Sequence, residues 1–171
     1  INDPEQLIFK LNRLLPKDIA VYKIYAVAPD RHARFSALTR SYRYQIARKK
    51  LPFQTEYSYY VYGPLDTENM QKGADIISQT RDFTSFSKSH TDTENNFCNI
   101  HRAGLRQEKD LLIFEITANR FLRNMVRAIT GTLLDVGREK TLIKKIALQP
   151  ENRFPDKDFF SQILNIPSKI I

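Results

Sequence analysis

Between Ala118 and Lys140 the apolar residues Leu122, Met125, Val126, Ile129, Leu133 and Val136 recur three and four positions apart. That spacing predicts an α-helix with one buried stripe. Arg120, Arg123, Asn124, Arg127 and Gly131 fall on the opposite side. A surface helix usually mixes both signs of charge over its wet face. Here the face is purely cationic until Asp135, and Gly131 leaves room for something to approach the backbone. Two readings stand side by side: a solvated basic face, or arginines that hold a carboxylate or phosphate in fork geometry.

The rest of the chain alternates between helical and strand patterns. Asp3-Pro4-Glu5 predicts an N-cap, a first-turn proline and an early acid, opening a helix through Leu7, Ile8, Leu11 and Leu15 that Pro16 stops. Ile19 to Ala28 is β-rich. Ser41 to Ala47 alternates, with Tyr42, Tyr44 and Ile46 on one face and Arg43 and Gln45 on the other. Tyr57 to Tyr62 reads as a strand closed by Gly63-Pro64. Asp66 is placed to cap a helix reaching about Gln79, with Met70, Ala74 and Ile77 inward. Phe97 to Arg106 and Leu111 to Thr117 are further strands, Ser85 to Asn96 has the polarity of a loop, and Gly137 is a C-cap candidate. The order of elements is that of an α+β protein.

Charge sharpens this picture. The 171 residues carry a net charge of +8, which favours polyanionic partners without naming one. From Arg31 to Thr55 the cations Arg31, Arg34, Arg40, Arg43, Arg48, Lys49 and Lys50 occur with no acid, interleaved with Phe35, Tyr42, Tyr44 and Phe53. Cations for phosphates and aromatic faces for unstacked bases are what RNA or single strands require. A membrane surface would call instead for a basic amphipathic helix. The chain is long enough for one domain, or one large domain with an appendage. The single Cys98 excludes an internal disulfide and fits a reducing compartment. No apolar run has transmembrane length and the N-terminus lacks a signal-peptide pattern, so a cytoplasmic location is expected. The first residue is Ile1 rather than Met, so the chain is expected not to begin where translation begins.

Candidate chemistry is sparse. His90, Cys98 and His101 lack a fourth ligand, and no metal is expected. His32, His90 and His101 show no spacing that would organise acid–base catalysis. The remaining constellation joins Arg40-Ser41-Tyr42-Arg43-Tyr44 to the helix of Arg127.

Several blocks, in order, resemble the C-terminal portion of the bacterial tRNA pseudouridine synthase A family. They are Leu14-Leu15-Pro16-Lys17-Asp18-Ile19, His32-Ala33-Arg34-Phe35-Ser36-Ala37, Arg40 to Tyr44, Asp82-Phe83-Thr84-Ser85-Phe86, and Phe121 to Arg127 followed by Gly131. The resemblance implies an α+β fold with a mixed, mainly antiparallel sheet, helices on one face and an active-site cleft on the other. It implies a cytoplasmic homodimer that isomerises uridine to pseudouridine in the tRNA anticodon stem-loop, without cofactor or metal. Tyr42 would stack on the extruded uracil and take its C5 proton, while Arg127 would hold the catalytic aspartate ionised. Tyr42, Arg34, Arg40 and Arg123 would bind substrate.

The family's G-R-x-D-x-G-V-H-A block, which carries that aspartate, does not occur in this chain. Asp30, Asp82 and Asp135 stand in other contexts and do not replace it. Residues 1–138 are thus read as the C-terminal portion of a synthase catalytic fold. Residues 139–171, from Glu139 onward, form a divergent segment without a residue-by-residue match. The chain alone is expected to be inactive. The alternatives are a non-catalytic RNA-binding module, whose affinity would fall steeply with salt, and an inert remnant.

Overall fold

Asp3 starts the first helix by accepting the amide of Gln6 on its carboxylate, 2.9 Å away. The resulting helix, α1 (Pro4–Leu14), ends where Leu15 turns extended before Pro16. The computed structural model of the chain describes residues 3–33, 35–87, 95–140 and 146. It divides into two units, residues 1–37 and 38–171.

In the first unit no residue of α1 is fully buried. The β-rich segment Ile19–Ala28 does not form a strand. A strand needs a ladder partner, and Val21 instead exchanges two hydrogen bonds with the side-chain amide of Asn12, at 2.7 and 2.8 Å. Further on, Ser36 and His32 close a tight turn. The amide of Ser36 donates to the carbonyl of His32, and that of His32 to Oγ of Ser36, both at 2.9 Å.

Among its described residues the second unit has four strands: β1 (Arg40–Ala47), β2 (Tyr59–Tyr60), β3 (Ile100–Glu108) and β4 (Leu111–Ala118). Their order is β2-β1-β4-β3, with β2 parallel to β1 and the other two pairings antiparallel. The expected strand over Tyr57–Tyr62 shrinks to two residues, because β1 pairs with it only through Ile46 and Ala47. With helices α2 (Thr67–Gln79) and α3 (Met125–Gly137), the result is an α+β fold with a mixed, mostly antiparallel sheet.

The alternation read in β1 sets the layers. Tyr42, Tyr44 and Ile46 lie opposite Ile116, Phe114 and Leu112 of β4. Tyr44, Ile46, Leu112, Phe114 and Ile116 are buried in one core with Met70, Ala74 and Ile77 of α2 and Met125, Ile129 and Leu133 of α3. Asp66 caps α2 by accepting the amide of Asn69 at 2.9 Å. The edge strand β3 does not leave its backbone bare beside α2: the amide of Leu105 donates to Oε1 of Gln71, 2.8 Å away.

The C-terminal helix differs most from its sequence pattern. It begins at Met125, so Arg120, Arg123 and Asn124 precede it. Eleven of its thirteen residues are buried, all but Arg127 and Asp135, and Gly131 is among the buried ones. The helix itself is thus largely interior, while of the residues read as its basic face only Gly131 is buried. Small residues make that possible: Thr130 and Thr132 hide their hydroxyls by donating to the carbonyls of Val126 and Ala128, at 2.8 and 2.9 Å. Gly137 is the last residue of the helix, one position before the cap Arg138, and is in close contact with α2. A Cβ there would sit 2.5 Å from Sδ of Met70, and one on Gly73 would sit 2.8 Å from Cδ2 of Leu133. The two glycines let α2 and α3 approach each other.

Candidate nucleotide-binding site

The segment joining β4 to α3 is pinned at its start. Asn119 donates its amide to the carbonyl of Asn99 (3.1 Å) and accepts the amide of Asn99 on its side chain (2.9 Å). Arg40, at the beginning of β1, donates from Nη1 to the carbonyl of Asn119 at 2.7 Å. This clasp ties the first residue after β4 to the strand that carries Tyr42. Two residues on, Phe121 meets Tyr42 edge-on, with ring centroids 5.1 Å apart and planes at 89°, a favourable aromatic arrangement.

The chain then turns into α3. The amide of Met125 donates to the carbonyl of Leu122 (3.1 Å), and Asn124 takes a left-handed conformation, φ 66° and ψ −1°. That turn closes a pocket lined by Tyr42, Tyr44, Phe121, Leu122, Asn124, Met125, Val126 and Arg127, about 510 Å³ including its open mouth. The floor is apolar and aromatic, with Tyr44 only 4% exposed. Arg127 adds the cation, two phenols add hydroxyls and Asn124 adds an amide.

Tyr42 and Arg127, distant in sequence, thus share one pocket. Tyr42 shares its strand face with the core residue Tyr44, and α3 starts over that face. Arg40 is half-buried and holds Asn119, Arg123 is exposed beside the pocket rather than in its lining, and Arg34 lies outside the described residues. Phe121 and Asn124 belong to the recognised Phe121–Arg127 block, but their place in the lining was not read from it. An asparagine directly before a helical stripe was the available signal, since Asn is favoured both as a cap and in left-handed backbone.

The opposite face of the sheet carries a lattice of ion pairs. Arg43 pairs with Glu108 at 2.5 Å and reaches Glu115 at 3.9 Å. Arg106 bridges Glu108 and Glu115, the latter at 2.9 Å. The hydrogen bond from Arg106 holds the Glu115 carboxyl below the usual carboxylate range, against the opposing pull of burial. Other cations of the basic segment are also engaged: Arg48 donates to the carbonyl of Gly63 (2.6 Å) and Lys49 pairs with Asp110 (2.9 Å). The segment Arg31–Lys50 is therefore less available to phosphates than its composition suggested.

Among the described residues no group of three His, Cys, Asp or Glu is placed to hold a metal ion. Cys98 is buried, and burial pushes its thiol up, away from reactivity. His101 is exposed, and Nδ1 of His32 accepts the amide of Phe35 at 3.2 Å. His90 lies outside the described residues. Among the described residues no helix is long and apolar enough to cross a membrane.

A pocket with an aromatic edge, a phenol and an arginine, reached from the start of a buried helix, is an arrangement suited to holding a base. Comparison with known proteins agrees with that class. A family model described as tRNA pseudouridine synthase matches residues 80–163, a span that continues past Arg138. The tRNA pseudouridine synthase A of Parabacteroides distasonis is 54% identical over 143 residues, covering 84% of this chain and 57% of the relative. The synthase of the same name from Bacteroides fragilis is 49% identical over 155 residues, covering 88% and 61%. That of a Geobacillus strain is 40% identical over 146 residues, covering 84% and 59%. The chain belongs to the tRNA pseudouridine synthase family, and it spans about three-fifths of the length of these relatives.

Proposed function

We propose that this chain forms the base-holding part of a tRNA pseudouridine synthase that acts on uridine in the anticodon stem-loop, as a cytoplasmic homodimer. The observation that carries the reading is the meeting of Tyr42 and Arg127, from β1 and α3, in one aromatic-lined pocket. An extruded uracil rests on an aromatic ring, and Tyr42 offers one with a hydroxyl attached. In the isomerisation the bond from the sugar C1′ to N1 breaks, the base turns, and a bond from C1′ to C5 replaces it. The C5 proton must leave and N1 must gain one. The Tyr42 hydroxyl is the group proposed to accept the C5 proton.

Arg127 has a different task. A guanidinium beside a carboxylate favours the ionised form, so Arg127 is proposed to keep the attacking aspartate charged and aimed. That aspartate belongs to a G-R-x-D block that these 171 residues do not contain. Arg34, Arg40 and Arg123 are proposed to bind substrate, with Arg40 also acting through its clasp on Asn119. The first test is an assay for pseudouridine formed in tRNA by the purified chain alone. No turnover is expected, and measurable turnover would sink the assignment of the attacking group to the absent block. Binding of tRNA that weakens steeply with salt would accompany the inactive chain.

A further inference from the structure

Asn124 occupies a position where its side chain has no role in building the helix. Asparagine is among the best N-cap residues because its side-chain oxygen can accept an amide of the first turn. That capping needs extended backbone, whereas Asn124 is left-handed at φ 66° and makes no side-chain cap. Its main chain does the structural work, the carbonyl accepting the amide of Ala128 at 3.0 Å. The side chain is left as part of the pocket lining.

Among the lining residues the chemistry of this side chain stands apart. Arg127 can only donate, the two tyrosines bring single hydroxyls, and Phe121, Leu122, Met125 and Val126 bring no polar side-chain atom. Asn124 alone presents a planar amide, with a donor and an acceptor side by side. The edge of a uracil ring is complementary to it, an N3–H flanked by carbonyl oxygens. We propose that Asn124 is a specificity-determining residue that reads the edge of the extruded uracil through its side-chain amide. The inference rests on the reading of the pocket as a base site and adds the group that recognises the base. Tyr42 and Phe121 would then offer the ring faces, and Asn124 the paired hydrogen bonds.

The competing explanation is conformational: Asn is present because it tolerates left-handed backbone. Glycine separates the two, since it accepts that backbone without cost but has no amide. The measurement is affinity of the chain for two RNA stem-loops, one with an all-uridine loop and one with the same loop made abasic. Their phosphates are alike, so the ratio of the two affinities reports the bases. The parent chain is expected to prefer the uridine loop. Asn124→Gly is expected to lose about tenfold of that preference, in line with a paired hydrogen-bond contact to a base edge. Asn124→Asp, which keeps the shape but loses the donor, is expected to lose a similar share. A preference kept intact in Asn124→Gly would overturn the role of Asn124 alone. No preference in the parent chain would overturn the base-site reading and this inference with it.

Discussion

The two faces of the sheet use arginine in opposite ways. On the face away from the helices, Arg43 and Arg106 are locked between Glu108 and Glu115, each side chain between a quarter and two-fifths exposed. On the helix face, Arg127 lines a pocket whose other walls are aromatic, apolar or amide. A charge already shared between two carboxylates has little left to offer a ligand. Composition alone counted these arginines as equivalent.

That contrast can be broken most directly by removing one arginine from each face. Under the proposed function, in a synthase that combines this chain with a G-R-x-D block, Arg127→Ala is expected to lower pseudouridine formation by about a thousandfold, on the order of 4 kcal/mol of barrier, while most tRNA binding remains. Arg43→Ala is expected to change the rate by less than about threefold. Binding that collapses in step with activity in Arg127→Ala would refute the ion-pair role.

A smaller effect sharpens the difference in packing. Gly137→Ala puts a methyl group against Met70, which is fully buried, so a loss of about 2 kcal/mol in chemical denaturation is expected from overpacking. Substitutions on the ion-pair face should cost less. Glu115→Gln is expected to destabilise by about 1 kcal/mol at neutral pH. The sign follows from the depressed acid: its folded pKa lies below its unfolded value. The stabilisation is present above the ordinary glutamate range and lost as pH falls through the folded pKa. The parent and variant denaturation curves should therefore converge in acid.

Asp135, the other half-buried residue of α3, should behave in the opposite sense. Burial raises its pKa, with Lys140 and Arg138 pulling the other way. The carboxylate thus costs stability at neutral pH, a cost that disappears as pH falls below its ordinary value of 3.8. Asp135→Asn is expected to raise Tm by about 2 °C at neutral pH, with no gain in strong acid. A gain that persisted there would assign the effect to something other than the charge.

Local chemistry was legible where it was sufficient. Asp3 and Asp66 cap the helices they announced, Met70, Ala74 and Ile77 point inward, and the alternation of Tyr42, Tyr44 and Ile46 chose the buried face of β1. These depend on neighbours a few residues away, which periodicity records. The motif blocks likewise carried the family and the pairing of Tyr42 with Arg127.

What only the tertiary structure decided lies where distant segments compete for the same backbone. The helical stripe was read from Leu122, yet Arg40 and Asn99 hold Asn119 and a left-handed Asn124 delays α3 to Met125. Ile19–Ala28 had strand composition but forms no strand, and the backbone groups of Val21 are met by the side chain of Asn12 instead. Gly137 ends α3 within one residue of the cap read for it, but only the packing shows it to be a contact with Met70. Sequence fixes a residue's conformational preferences, but the partners that satisfy its hydrogen bonds and fill its free volume come from elsewhere in the chain. Those partners turned a string of arginines into an ion-pair lattice on one face and part of a pocket lining on the other.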